Sequence, residues 1–125
     1  MTIRKQSQTV FASVARTVTV VSSVLSSQEV ISSIFSIDVS AASATPSVVF
    51  SIEGKDPLSG TFYNIIDSAA ITATGITTVQ VGMNIIAAAN VAANEMLPEE
   101  YRITATHGDA DSITYTVGAV HMVDR

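Results

Sequence analysis

The chain has 125 residues, of which 47% are hydrophobic and only 14% charged, with a net charge of −5 at pH 7 and no cysteine. That length fits one domain: folded it exposes about 6,400 Å² against about 19,000 Å² when extended, so roughly two thirds of the surface is buried. Abundant apolar residues with little charge exclude a disordered chain, and the lack of cysteine excludes disulfide scaffolds, thiolate metal sites and cysteine nucleophiles.

Arg4, Lys5 and Arg16 are the only charges before Glu29, and residues 1–8 are polar. This predicts a basic N-terminal arm over residues 1–16, mobile at its start, ahead of a folded domain over residues 17–125. Residues 9–25 alternate imperfectly, with Val10, Val14, Val18 and Val20 as the expected inward side chains. Arg4 and Lys5 ahead of the apolar stretch 18–25 resemble a secretory leader superficially. Arg16 and the Ser and Thr residues break the run, so no such leader is expected.

Strict alternation then sets in. Phe35, Ile37 and Val39 alternate with Ser36, Asp38 and Ser40; Val48, Phe50 and Ile52 alternate with Val49 and Ser51. Successive strand side chains point to opposite faces, so each run predicts a strand with one buried face. Glu53-Gly54-Lys55-Asp56-Pro57-Leu58-Ser59-Gly60 carries turn residues and predicts a hairpin loop into a strand over 61–66. A short strand is expected over 76–81, between Gly75 and Gly82. Residues 68–94 are uncharged, but their Gln, Asn, Thr and Gly residues are not lipophilic, and no membrane span is expected. The Ala-rich stretch 83–93 fits either a short helix or a strand and loop. Strands are expected over 101–106 and 113–119, joined by the loop His107-Gly108-Asp109-Ala110-Asp111. The fold class is therefore all-β: a single-domain antiparallel β-sandwich, jelly-roll-like, with a short helix near residues 83–93 as one option.

Candidate chemistry is sparse. His107 and His121 fall at inward parity and with Asp109 or Asp111 have the residue types of a metal site, yet Asp, Gly and Ala are ordinary loop residues. The structural reading is favoured, and metal binding by this set stays open. No Gly-x-Ser-x-Gly elbow accompanies the many serines, which sit mostly at outward parity. Glu53, Asp56 and Asp67 could supply a glycosidase pair, but Glu53 and Asp56 flank a turn and are read as solvated turn acids. No catalytic residue, cofactor or metal is expected, and the chain is not read as an enzyme. An acidic body argues against nucleic acid. A sugar-binding module remains an alternative, weakened by the absence of Trp; Phe62, Tyr63, Tyr101 and Tyr115 are read as core or subunit-contact residues.

Outward strand positions hold Ser, Thr and Val rather than Lys and Glu, which favours a homo-oligomer or a component of a larger shell, a closed trimer being one form. Val49, Val120 and Met122, apolar at outward parity, are the candidate assembly contacts, together with the basic Arg4, Lys5 and Arg16.

The run Ile52-Glu53-Gly54-Lys55-Asp56-Pro57-Leu58-Ser59-Gly60-Thr61-Phe62-Tyr63, with Ser68-Ala69-Ala70-Ile71, Leu97-Pro98-Glu99-Glu100-Tyr101-Arg102-Ile103 and Thr116-Val117-Gly118-Ala119, resembles a family of small tailed-bacteriophage virion structural proteins. The resemblance covers roughly residues 31–122 and consists of turn and core positions. It implies a non-enzymatic β-sandwich in the virion, with capsid decoration or cement on the major capsid protein as the leading role. Head-fibre, neck and tail components are the alternatives.

Overall fold

The computed structural model describes residues 2–124; residues 1 and 125, the outer ends of the expected arm and domain, lie outside the described residues. Ten strands follow in order: β1 (Ile3–Arg16), β2 (Val20–Val21), β3 (Leu25–Ser26), β4 (Val30–Ala42), β5 (Val48–Lys55), β6 (Phe62–Asp67), β7 (Gly75–Gly82), β8 (Ala92–Asn94), β9 (Glu100–His107) and β10 (Ile113–Asp124).

Their pairing is nested about the β5–β6 hairpin. β5 pairs with β6, β4 with β7, β2 and β3 with β9, and β1 with β10, all antiparallel. Cross-pairing of β10 with β4 and of β9 with β5 then assembles two sheets, β1-β10-β4-β7-β8 and β2/β3-β9-β5-β6. β2 and β3 are one edge strand interrupted near Ser22, which donates its amide to Ile103 O and accepts the Ile103 amide on its hydroxyl, both at 2.9 Å. With β2/β3 counted once and β8 as an addition, the eight-strand order is that of a jelly roll. The expected sandwich is present, and its strands over 35–41, 48–52, 101–106 and 113–119 lie within β4, β5, β9 and β10.

The core follows the alternation. Phe35, Ile37, Val39, Val48, Phe50, Ile52, Tyr101, Ile103, Tyr115 and Val117 are all buried between the sheets. Edge-to-face rings tie the layers together: Phe50 of β5 lies 4.9 Å from Tyr115 of β10, and Phe35 of β4 lies 5.8 Å from Tyr101 of β9. The accessible surface, 6649 Å², is close to the value expected for a compact monomer of this mass.

The N-terminal segment departs from expectation. Residues 3–16 are no separate arm but strand β1, paired with β10 from Ile3↔Asp124 to Arg16↔Ile113. Two register shifts, between Thr9 and Phe11 and between Phe11 and Val14, bring the consecutive residues Val10 and Phe11 into the core. A β-bulge of this kind breaks the period of two, which is why the alternation looked imperfect. Val10 is buried and Val20 packs at the core margin as expected, but Val14 and Val18 are exposed.

The stretch 83–93 forms no helix. Asn84 and Asn90 adopt left-handed backbone, φ 61° and 63°, a conformation that Asn tolerates and that ends helical propagation. Asn94 Oδ1 accepts the Asn84 amide at 3.0 Å, and Asn90 Nδ2 donates to Asp67 O at 3.0 Å. The chain then returns as β8, parallel to β7 with Gln80 opposite Ala92. The expected hairpin loop is present: Gly60 takes φ 75°, and Asp56 accepts the Leu58 amide and the Ser59 hydroxyl.

Candidate functional site

The outer face of the β1-β10-β4-β7 sheet is built in transverse rows fixed by register. One row reads Lys5, Met122, Ser32 and Gly82; the next reads Ser7, Val120, Ile34 and Gln80. Thr9, Gly118, Ser36 and Thr78 follow, then Thr116, Asp38 and Ile76. Lys5 and Asp38 are the charged residues of these rows. Gly118 leaves a gap in the relief of the face, and a depression of about 340 Å³ lies there between Ser7, Thr9, Ser36 and Val120. Beside it, Lys5, Ile34, Val120 and Met122 line an apolar cleft of about 190 Å³. On this face the aliphatic patch is bordered by the hydroxyls of Ser7 and Ser32 and the amide of Gln80.

Three of the six expected assembly contacts, Lys5, Val120 and Met122, meet here, and Ile34 completes the patch. Ile34 was missed although its outward parity beside Phe35 was readable; its cross-strand neighbour was not. The other three lie elsewhere. Val49 is on the outer face of the second sheet opposite Thr106, and Arg4 pairs with Val123 at the parity opposite to Lys5. Arg16 is half-buried at the far end of β1, where it donates to Ala12 O, Val14 O and Tyr115 O at 2.9, 3.1 and 3.2 Å. Its guanidinium lies 4.6 Å from the Tyr115 ring centre and 5.1 Å from that of Phe11. Arg16 therefore holds the bulged end of β1 in place.

The outer face of the second sheet has a different character. Arg102 Nε donates to Glu53 Oε1 at 2.8 Å, the Thr104 hydroxyl donates to the same oxygen at 2.7 Å, and the guanidinium lies 3.8 Å from the Phe62 ring centre. Lys55 pairs with Glu100 at 3.6 Å. Glu53 is thus engaged in an ion pair, Asp56 caps its own loop, and Asp67 is at the opposite end of β6, so these acids form no facing pair.

The two histidines do not converge. His107 touches Tyr115, Nε2 to hydroxyl 3.1 Å, whereas His121 lies six residues further along β10, about 20 Å away. Asp109 and Asp111 tie down their own loop: Asp109 accepts the Asp111 amide, and Asp111 accepts the Thr45 amide. Among the described residues no three His, Asp or Glu side chains gather as a metal site.

Behind the outer face lies a buried polar network that sequence reasoning missed. His121 Nδ1 is 2.6 Å from Ser33 Oγ, and its Nε2 is 2.9 Å from Gln8 Oε1. The Tyr101 hydroxyl donates to the same Gln8 oxygen. With Nε2–H donating to Gln8, Nδ1 accepts the Ser33 hydroxyl, and both ring nitrogens of a neutral imidazole are satisfied. Burial lowers the His121 pKa from its ordinary value and pushes the Tyr101 hydroxyl up. Ser33 and His121 resemble a nucleophile–base pair, yet both are at most 3% exposed. Chemistry on a substrate needs a reachable oxygen, and Ser33, at 2% exposed, is buried.

No family model, curated protein or solved structure matches the chain.

Proposed function

We propose that the protein is a non-enzymatic structural component of a bacteriophage particle, most specifically a decoration or cement protein on the outer surface of the major capsid protein. The observation that carries this reading is the outer face of the β1-β10-β4-β7 sheet, with its aliphatic patch and sparse charge. An interface core is depleted of charge and rimmed by polar groups, and this face has that composition. The resemblance of residues 52–63 and 97–103 to virion proteins supplies the particle. The jelly-roll order is compatible with capsid proteins and with lectins alike, so the fold alone does not choose between them.

Such a protein acts through many copies. Each contact is modest, and attachment of one chain or oligomer to several coat subunits raises the overall avidity without new chemistry. A sugar-binding role is less well supported: Tyr101 and Tyr115 are buried, Phe62 lies under Arg102, and Tyr63 is the exposed ring, at 46%. Co-sedimentation of the purified protein with particles stripped of it tests the reading. Saturable rebinding is expected; a protein that stays in the supernatant at every concentration contradicts it.

A further inference from the structure

We propose that the His121 network is an acid-sensitive latch, which holds the N-terminal half of β1 on the sheet at neutral pH and releases it when the imidazole takes up a proton.

Residues 3–9 of β1 bring no buried apolar side chain to the core; Ile3 is 47% exposed, and Gln8 is the half-buried member. This half-strand is therefore held by its ladder to β10 and by the contacts of Gln8 with His121, Tyr101 and Ser26 O. Edge segments with few buried contacts open at a small fraction of the global unfolding free energy. The register that pairs Gln8 with Ala119 sets its amide beside the ring of His121, two residues further on.

Among the described residues the groups in contact with the imidazole are uncharged, and exposed Arg4 shares the inward parity of β1 with Gln6 and Gln8. From β1 comes Gln8, from β4 Ser33 and Phe35, and from β9 the neutral Tyr101 hydroxyl. The corner between β3 and β4 contributes Ser26, Ser27, Gln28 and Val30, which with Gln6, Gln8 and His121 line a trench of about 220 Å³. Lys5 and Asp124 belong to the opposite face of the sheet, and the Glu29 side chain is exposed at the corner. A proton added at Nδ1 leaves the Nε2–H bond to Gln8 in place but puts a cation among these groups, where no carboxylate of the described residues touches it. It also turns Ser33 from donor to acceptor, so its hydroxyl hydrogen needs a new partner. Once residues 3–9 lift away, water enters along the trench and hydrates the imidazolium.

The sign follows from these two states. Burial lowers the His121 pKa while the strand is closed, and opening returns it towards the ordinary value of about 6.5. Protonation therefore favours the open strand as pH falls below that value, by at most about tenfold per pH unit for one proton. His107, whose pKa burial also lowers, sits at the other end of β10 and touches none of this network, which makes it an internal control.

Hydrogen exchange tests the latch, with rates corrected for intrinsic pH dependence. Between pH 7.5 and pH 5.0 the protection of residues 3–9 should fall roughly tenfold or more, while amides of β4 and β5 keep theirs. His121→Gln should give the same protection at both pH values, and His107→Gln should behave as wild type. An NMR titration of the wild-type His121 ring, which needs no variant, should share its midpoint with the loss of β1 protection. Unchanged protection in the wild type, an equal fall in His121→Gln, or midpoints more than about one pH unit apart would overturn the latch.

Discussion

Val120 of β10 lies directly opposite Ile34 of β4 on the outer face of the sheet, and the two side chains are 40% and 42% exposed. Polar neighbours, Ser7 and Gln80, close the row at either end. An exposed aliphatic pair at the middle of a four-strand row contributes little to folding, yet it is the apolar centre that a docking partner would cover.

The first prediction replaces this pair with Ile34→Lys and Val120→Glu together. Opposite charges facing each other across two strands keep the sheet compatible, so the melting temperature should move by only about 2–4 °C. Rebinding to stripped particles should weaken at least about tenfold, since the centre of an interface carries most of its energy. Full rebinding by a folded double variant would place the attachment elsewhere.

The second concerns two glycines. A Cβ at Gly82 would lie 2.6 Å from Ser32 Cβ and 3.1 Å from Ser32 Cα, where the β4 backbone cannot give way. Gly82→Ala should cost about 1–3 kcal/mol in urea unfolding through overpacking. At Gly118 the nearest atom to a Cβ is 3.9 Å away. Gly118→Ala should leave stability within about 0.5 kcal/mol, while narrowing the depression on the outer face of the sheet.

Tyr115 gives the third. It is fully buried, packs edge-on against Phe50 and Phe11, and carries Arg16 over its ring. Tyr115→Ala should cost about 3–5 kcal/mol. Tyr115→Phe keeps the packing and removes the hydroxyl contact with His107, and should cost about 1 kcal/mol. Equal losses in the two variants would show that the hydroxyl, not the ring, carries the effect.

These residues also show how far the sequence could be read. Phe35, Phe50, Tyr101 and Tyr115 were legible as core, because each sits in an unbroken period of two and burial obeys parity. β1 was not, since its bulge buries both Val10 and Phe11 and its polar half looked like a solvated tail. The loop through Asn84 and Asn90 was legible as one of two options, a helix or a strand and loop, and left-handed residues with a parallel return select the strand and loop. The site divides in the same way. The outward parity of Val120 and Met122 was visible in their own strand. Their meeting with Lys5, and the contact of Gln8 with His121, depend on pairing the first strand with the last, which local pattern does not encode.

The fourth prediction is the pH dependence of global stability. Burial lowers the folded-state pKa of both histidines, so their contribution is fully present above about 6.5 and is lost as pH falls towards and through the folded values. Asp56 is held below its ordinary 3.8, by the Leu58 amide first and the Ser59 hydroxyl second, so its contribution fades only in stronger acid. The urea midpoint should therefore drop between pH 7.5 and pH 5, and by less in His121→Gln. An undiminished drop in that variant would assign the effect to other groups.

The central claim, attachment to a phage shell, is tested most directly by the copy number per purified virion, measured by quantitative mass spectrometry against the major capsid protein. Decoration predicts a fixed ratio to that protein, on the order of hundreds of copies spread over repeated sites. A handful of copies would move the protein to the neck, tail or a fibre, and its absence from particles would contradict the account.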